Sequence, residues 1–260
     1  MKLLTLALVS IPIFAQSRPD LSGIWMYVAG KSETARGGPE KALLSIEQTA
    51  SRMRHRFVVT NRGREERGEF EYPVEGESRN SMRGLSIHSR TSWEGGSLIV
   101  NGRATLPGDG GEMVVREKFT LGSGGKNLTL ERHQTFGGRE NKETLFFERA
   151  SPEAIAEFNR PEKKAGEQYK NLRVLGEIPS SELLPTMIRF QAALGVKCDH
   201  CHVPNQWERE KRAAKQVARK MIEMVHSINR VHFDGRAAVS CETCHRGQPK
   251  PSTGQAAAKQ

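Results

Sequence analysis

All four cysteines of this 260-residue chain fall in two short stretches that repeat one pattern. The stretches run from Cys198 to His202 and from Cys241 to His245, and both read C-x-x-C-H. This is the attachment pattern of a c-type haem, in which two thiols one helical turn apart form thioether bonds. The histidine that follows then binds the iron as its proximal ligand. The sequence therefore predicts two covalently bound haem c groups, held by Cys198, Cys201, Cys241 and Cys244, with His202 and His245 on the two irons.

Two other uses of the cysteines compete with haem. In an oxidising compartment four cysteines often form two structural disulfides, and four thiolates can also hold a structural zinc ion. The short spacing within each pair argues against two structural disulfides. A zinc module explains neither the histidine after each pair nor the exported setting that the N-terminus predicts.

The first fifteen residues are typical of a secretory signal peptide. Lys2 gives a positive start, residues 3–14 are almost entirely apolar, and Ala15 is a small residue suited to cleavage. The apolar run is too short to span a bilayer. We expect an exported, periplasmic protein that associates with a membrane, if at all, through a partner.

The chain is basic, with a formal net charge of +10. Residues 151–260 carry 18 Lys and Arg against 12 Asp and Glu. Such an excess is typical of a solvated surface and also suits the docking of an acidic redox partner. Export and the lack of a binding motif disfavour nucleic acid. Redox proteins are the predicted partners, a membrane electron-transfer complex among them, and no small-molecule substrate is expected.

Residues 17–150 are predicted to form an antiparallel β domain, either a barrel or a strongly curved meander. Apolar and polar residues alternate over nine short runs that are separated by glycine turns. The opening stretch from Asp20 to Trp25 resembles, in topology only, that of lipocalins. The inward-facing core is expected to include Trp25, Trp93, Phe119, Leu128 and Phe147. His55, His88 and His133 lack metal-ligand spacing and are expected to be solvated or hydrogen-bonded, so the domain is assigned no chemistry.

Helical periodicity begins after a predicted linker at residues 151–172. Residues 173–250 are predicted to be a mainly α cytochrome domain, and residues 251–260 a disordered tail. Ser180 and Ser181 are suited to cap a helix over residues 183–194, which ends before Gly195. A longer helix is expected from about residue 208 to residue 230, with a basic face and an apolar face.

Each haem needs a sixth ligand if its iron is only to carry electrons. A methionine thioether binds the iron well and raises its reduction potential, although methionine on an apolar stripe is also ordinary core filler. Met187 lies on the first helix, eleven residues before Cys198, and Met221 and Met224 lie on the second. His232, nine residues before Cys241, is a less favoured ligand. Arginines that lie near the motifs in sequence are candidate partners for the propionates: Arg219, Arg230 and Arg246.

These residues resemble those of the photosynthetic reaction-centre cytochrome c subunit family. The resemblance rests on three stretches: Leu184 to His202, Ala218 to Asn229, and Val239 to Gly247. It implies Met187 as a ligand, and it favours Met221 over Met224 because Met221 opens the M-x-x-M helix. The well-known members carry four haems, so this chain matches half of such a subunit over about residues 173–249.

The predicted function is that of an exported diheme c-type cytochrome, an electron carrier and not an enzyme. One alternative is a diheme peroxidase-like enzyme, which needs one five-coordinate iron; methionines before both motifs argue against it. The other alternative is the non-haem module in which the two C-x-x-C pairs hold a structural zinc ion.

Overall fold

The computed structural model describes residues 18–35, 37–82, 85–105 and 111–251. The predicted signal peptide at residues 1–15, and all but the first residue of the predicted tail, lie outside the described residues.

Eleven antiparallel strands form one sheet that curls into a nearly closed barrel, as the alternating pattern predicts. Along the sheet the strands follow the order β5-β4-β3-β1-β11-β10-β9-β8-β7-β6, and β2 pairs with β11. The bounds are β1 Gly23–Tyr27, β2 Glu33–Thr34, β3 Lys41–Gln48, β4 Arg52–Asn61, β5 Arg64–Pro73, β6 Gly76–Met82, β7 Leu85–Glu94, β8 Ser97–Thr105, β9 Glu112–Leu121, β10 Asn127–Phe136 and β11 Arg139–Arg149. All nine predicted strands are present.

A side chain bridges the two ends of the sheet. Asn80 on β6 accepts the backbone N–H of Glu71 on β5 at 2.8 Å and donates to its carbonyl at 3.0 Å. The amide thus imitates the backbone pair that a neighbouring strand would offer. Strand β6 is absent from the predicted series because its residues, GESRNSM, carry little apolar alternation.

The barrel interior holds the predicted core. Trp25, Phe119, Leu128 and Phe147 are all buried, and Trp93 is partly buried against them. Burying aromatic side chains of this size contributes much of the stability of a small barrel.

The same interior also contains a buried histidine. His55 is only 4% exposed and lies 5.7–6.0 Å, ring centre to ring centre, from Phe57, Phe70 and Phe119. Within the part of the chain that the structure describes, its Nδ1 has no hydrogen-bond partner. The expectation of a solvated histidine is therefore wrong for His55, and the alternative of a hydrogen bond fails at its Nδ1. It fits His133, an exposed residue 3.4 Å from Glu140.

Two short helices follow the barrel, α1 Pro152–Asn159 and α2 Ala165–Gln168. Ser151 caps α1 by accepting the N–H of Ala154. Phe158 of α1 is buried against Leu43 and Val58, which face outward from β3 and β4. The region after the barrel is therefore packed onto the outer surface of the sheet.

Buried polar contacts reinforce this packing. Glu65 on β5, 4% exposed at its side chain, accepts from Arg67 at 2.8 Å and pairs with Arg160. Gln168 of α2 donates to the Glu65 carbonyl at 2.7 Å and accepts its N–H at 2.8 Å. The side chain and the backbone of Glu65 thus hold the segment that includes Arg160 and α2 against strand β5.

Three further helices, α3 Leu183–Leu194, α4 Ala213–His232 and α5 Cys241–His245, are joined by irregular segments. The bounds of α3 match the prediction. Its predicted caps do not, because the Ser180 and Ser181 hydroxyls donate to Glu162 instead. Helix α4 starts at Ala213, later than predicted. In the described portion of the chain, no helix is long and apolar enough to cross a membrane.

Candidate functional site

The first C-x-x-C-H motif folds as a tight helical turn directly after α3. A 3-10 turn spans Cys198–His200, and the N–H of His202 donates to the Cys198 carbonyl at 3.0 Å. Cys198 is exposed and lies 3.7 Å, sulfur to oxygen, from Gln191 on α3. Cys201 is half-buried, and this burial raises the pKa of its thiol.

The second motif is the helix α5. Ser240 precedes it, and the backbone N–H of Ser240 donates to the Thr243 hydroxyl at 3.0 Å, which fixes the first turn. Cys241 is half-buried, and burial raises the pKa of its thiol, whereas Cys244 is exposed. Both motifs are therefore locally helical, which sets their two thiols one turn apart as haem attachment requires.

The two motif histidines are held in the same way. Nδ1 of His202 lies 3.0 Å from the Trp207 carbonyl, and Nδ1 of His245 lies 2.9 Å from the Gln248 carbonyl. A carbonyl only accepts, so each Nδ1 donates the hydrogen bond, and in the neutral ring Nε2 is the nitrogen that has the lone pair. A second hydrogen bond of this kind fixes the tautomer and the orientation of a metal-binding histidine. In both motifs Nε2 is therefore the ring nitrogen that could bind a metal.

Met187 lies on the face of α3 that meets the first motif. It is half-buried and stands one helical turn before Gln191, the residue in contact with Cys198. Residues four apart on a helix share one face. The position of Met187 thus agrees with a role beside the first motif.

The apolar stripe of helix α4 is partly exposed to solvent. Three members of the stripe are unusually exposed: Val217 at 55%, Met224 at 43% and Val231 at 62%. Met221 is half-buried between Val217 and Met224. Such a row of exposed apolar side chains is typical of a surface that binds an apolar group.

Asn229 ties the second motif to α4. Its side chain accepts from the Val239 N–H at 2.9 Å and donates to the Val239 carbonyl at 2.8 Å. The segment that leads into Cys241 therefore lies beside the C-terminal half of α4, two turns after Met221. His232, at the C-terminus of this helix, is exposed.

The two motifs are also joined to each other through α3. The N–H of Gly247, which follows α5, donates to the Ala193 carbonyl at 2.8 Å. Gly195 ends α3 with a positive φ of 61°, and a Cβ atom there would lie 2.0 Å from the Gly247 carbonyl oxygen. Close backbone packing of this kind requires glycine.

A network of charged side chains lies next to the segment that follows the first motif. Glu210 accepts two hydrogen bonds from Arg219, both of 2.7 Å, and lies 3.3 Å from Lys215. The hydrogen bonds from Arg219 lower the pKa of Glu210 to about 2. Arg219 is therefore committed to Glu210, and its predicted pairing with a propionate is not supported.

The four cysteines are not gathered into one site. All four thiols are free. Across the described ranges, no group of three or more Cys, His, Asp or Glu residues is placed to hold a metal ion. The structural-zinc alternative needs four converging thiolates and is disfavoured by this arrangement.

The residues present fit a covalently bound haem at each motif. Each motif offers two free thiols, a histidine with an available Nε2, and adjoining apolar helix surface. A haem needs these donors, and its macrocycle buries apolar surface.

A sequence model of the photosynthetic reaction centre cytochrome C subunit family matches residues 120–259, just over half of the chain. The chain belongs to this family. The match begins within β9, so it extends well beyond the residues that carried the resemblance. Membership confirms that resemblance, and it supports a c-type cytochrome.

Curated members of the reaction centre cytochrome family align with the C-terminal part. The photosynthetic reaction center cytochrome c subunit of Thermochromatium tepidum is 37% identical over 93 residues, 34% of this chain and 23% of its own. That of Rubrivivax gelatinosus is 34% identical over 92 residues, 34% of this chain and 25% of its own. The chain thus spans about a quarter of the length of these relatives.

Solved structures resemble half of the chain. A secretory abundant heat soluble protein of Ramazzottius varieornatus has a TM-score of 0.37 at 13% identity, covering 50% of this chain and 94% of its own. Zebrafish ileal bile acid-binding protein has a TM-score of 0.35 at 14% identity, covering 50% and 98%. Likeness at this level carries no functional information.

Proposed function

We propose that this protein is an exported diheme c-type cytochrome that carries single electrons between redox proteins. The observation that supports it most directly is that both motif histidines are oriented alike, each with Nδ1 bound to a carbonyl and Nε2 available. Membership of a cytochrome c family supports the same chemistry. When bound, haem supplies a one-electron iron couple.

Each residue has a defined task in this proposal. Cys198, Cys201, Cys241 and Cys244 form the thioether bonds. His202 and His245 would each hold one iron, with Met187 and Met221 as the second protein ligands. Met224 and His232 are the less favoured ligands. Both are exposed, whereas Met221 is half-buried on the apolar stripe.

The domain division belongs to the same proposal. We assign residues 1–15 to a signal peptide, 17–150 to the β domain, 151–172 to a linker, 173–250 to the haem domain and 251–260 to a tail. The basic excess of residues 151–260 suits an acidic redox partner, including a periplasmic face of a membrane complex. No small-molecule substrate is proposed.

A haem-stained denaturing gel and a haem-to-protein ratio test the cofactor assignment. We expect two covalently attached haems per chain, and double serine variants of either cysteine pair should each remove one. A chain that binds zinc and does not stain contradicts the proposal.

Methionine ligation distinguishes a carrier from a peroxidase-like enzyme. Met187→Ala and Met221→Ala should each lower the reduction potential of one haem, because a thioether ligand raises that potential. A redox titration followed by optical spectroscopy measures both values. Met224→Ala, three residues further along α4, is the matched control and should leave both potentials unchanged.

Carbon monoxide gives an independent result. The reduced wild-type protein should bind it slowly or not at all, since a histidine and a methionine on each iron would leave no position open. Rapid binding at one haem in the wild type indicates an open iron and favours the peroxidase-like alternative.

A further inference from the structure

A buried lysine lies directly behind the first motif. Lys215, near the start of α4, is only 9% exposed, which is rare for this residue type. Its Nζ donates to the carbonyls of Trp207 at 2.9 Å and Arg209 at 3.2 Å. No feature of the sequence pattern assigns it a role.

The Trp207 carbonyl has two donors. Lys215 Nζ is one, and the other is Nδ1 of His202 at 3.0 Å. The ammonium group and the motif histidine therefore share one acceptor. In the second motif, His245 donates to the Gln248 carbonyl, and no lysine within the described chain donates to that carbonyl.

We propose that Lys215 positions His202 and raises the reduction potential of the iron bound there; this rests on the proposed function. A carbonyl that also binds an ammonium group is a weaker acceptor for the Nδ1–H of His202. The imidazole then donates less electron density to the iron, which favours the reduced state. A buried positive charge nearby favours the reduced state as well.

The neighbouring charges do not cancel this effect. Glu210 lies 3.3 Å from Lys215, but Arg219 holds the same carboxylate with two bonds of 2.7 Å. The three side chains together carry one net positive charge. Since no described lysine shares the acceptor of His245, the haem at the first motif should have the higher potential of the two, which gives electron flow a direction.

The test compares two lysines of α4 in the full-length protein with its haems attached. Lys215→Gln removes the buried charge, and Lys220→Gln removes a charge from the exposed face of the same helix. In a redox titration, Lys215→Gln should make one haem harder to reduce by about tenfold in its equilibrium constant, roughly 59 mV for one electron. Lys220→Gln should leave both potentials close to wild type, because exposed charges are screened.

Two further variants complete the design. The haem that shifts in Lys215→Gln should be the one affected by Met187→Ala. Lys215→Arg keeps the charge and should restore most of the potential. Unchanged potentials in Lys215→Gln, or equal shifts in Lys215→Gln and Lys220→Gln, overturn the inference.

A measurement on the wild type covers the case in which Lys215→Gln does not accumulate. The ammonium resonance of Lys215 in ¹⁵N NMR, assigned with Lys215→Arg, should shift when the first haem is reduced. A resonance that does not respond contradicts the inference. A wild-type chain without covalent haem instead overturns the proposed function.

Discussion

At the scale of single residues, the barrel interior contains a histidine that resists protonation. Burial lowers the pKa of His55 from 6.5 to about 4. The nearby Glu117 carboxylate opposes this shift only in part. His55 is thus neutral in the folded protein at pH values where an exposed histidine is charged.

This gives a pH-dependent stability. Between pH 6.5 and 4 the unfolded chain binds a proton at His55 that the folded chain does not, so folding is weakened as the pH falls through this range. The loss should reach up to about 3 kcal/mol by pH 4. Urea unfolding of the wild type and of His55→Leu at pH 7 and pH 4.5 measures it.

The other ionisable groups are common to both proteins, so the difference between them isolates His55. The variant should lose less stability between the two pH values than the wild type. Equal losses in the two proteins would show that His55 is protonated without penalty in the fold.

At the scale of elements, the junction between α3 and α5 depends on a glycine. Gly195→Ala places a Cβ atom 2.0 Å from the Gly247 carbonyl oxygen at a φ of 61°. The left-handed conformation alone costs an alanine about 1–2 kcal/mol. The clash adds to this, and it should loosen the second motif from the first.

Gly235→Ala is the matched control, because Gly235 has a φ of 77° and a Cβ atom added there would meet nothing within 4 Å. Chemical denaturation should show that Gly195→Ala lowers the free energy of unfolding by at least about 1 kcal/mol more than Gly235→Ala. Equal losses of stability in the two variants would mean that α3 and the segment after α5 can separate without cost.

At the scale of the whole molecule, α1 holds the C-terminal region against the barrel. Phe158 is buried between α1 and the outer surface of β3 and β4. Phe158→Ala should destabilise the protein by about 3 kcal/mol, the usual range for a buried phenylalanine. It should also speed protease cleavage within residues 151–172.

Ile155 on the same helix is 36% exposed against 4% for Phe158, so Ile155→Ala removes an apolar side chain that is much less buried. Its effect on unfolding should stay below about 1 kcal/mol, with cleavage close to that of the wild type. If both variants behave alike, the packing of α1 on the barrel is not what holds the C-terminal region against it.

Local sequence patterns predicted much of this fold because the physics behind them is local. The alternation of apolar and polar residues predicted the nine strands. The run from Leu183 to Leu194, followed by Gly195, predicted both ends of α3 correctly. The errors lie where long-range contacts intervene. Asn171 binds the segment before α4 at Glu208 and Glu210, and Glu162 accepts from the two serines expected to cap α3.

The sequence by itself determined the haem-binding signature, the family resemblance and the alternating pattern of a β-barrel, since each depends on residue types at short spacing. Tertiary structure alone decided what surrounds the two motifs. The carbonyls that orient His202 and His245, the buried Lys215 behind the first of them, and the Gly195–Gly247 approach join residues through folding. The two C-x-x-C-H motifs are written alike, and their surroundings make them different.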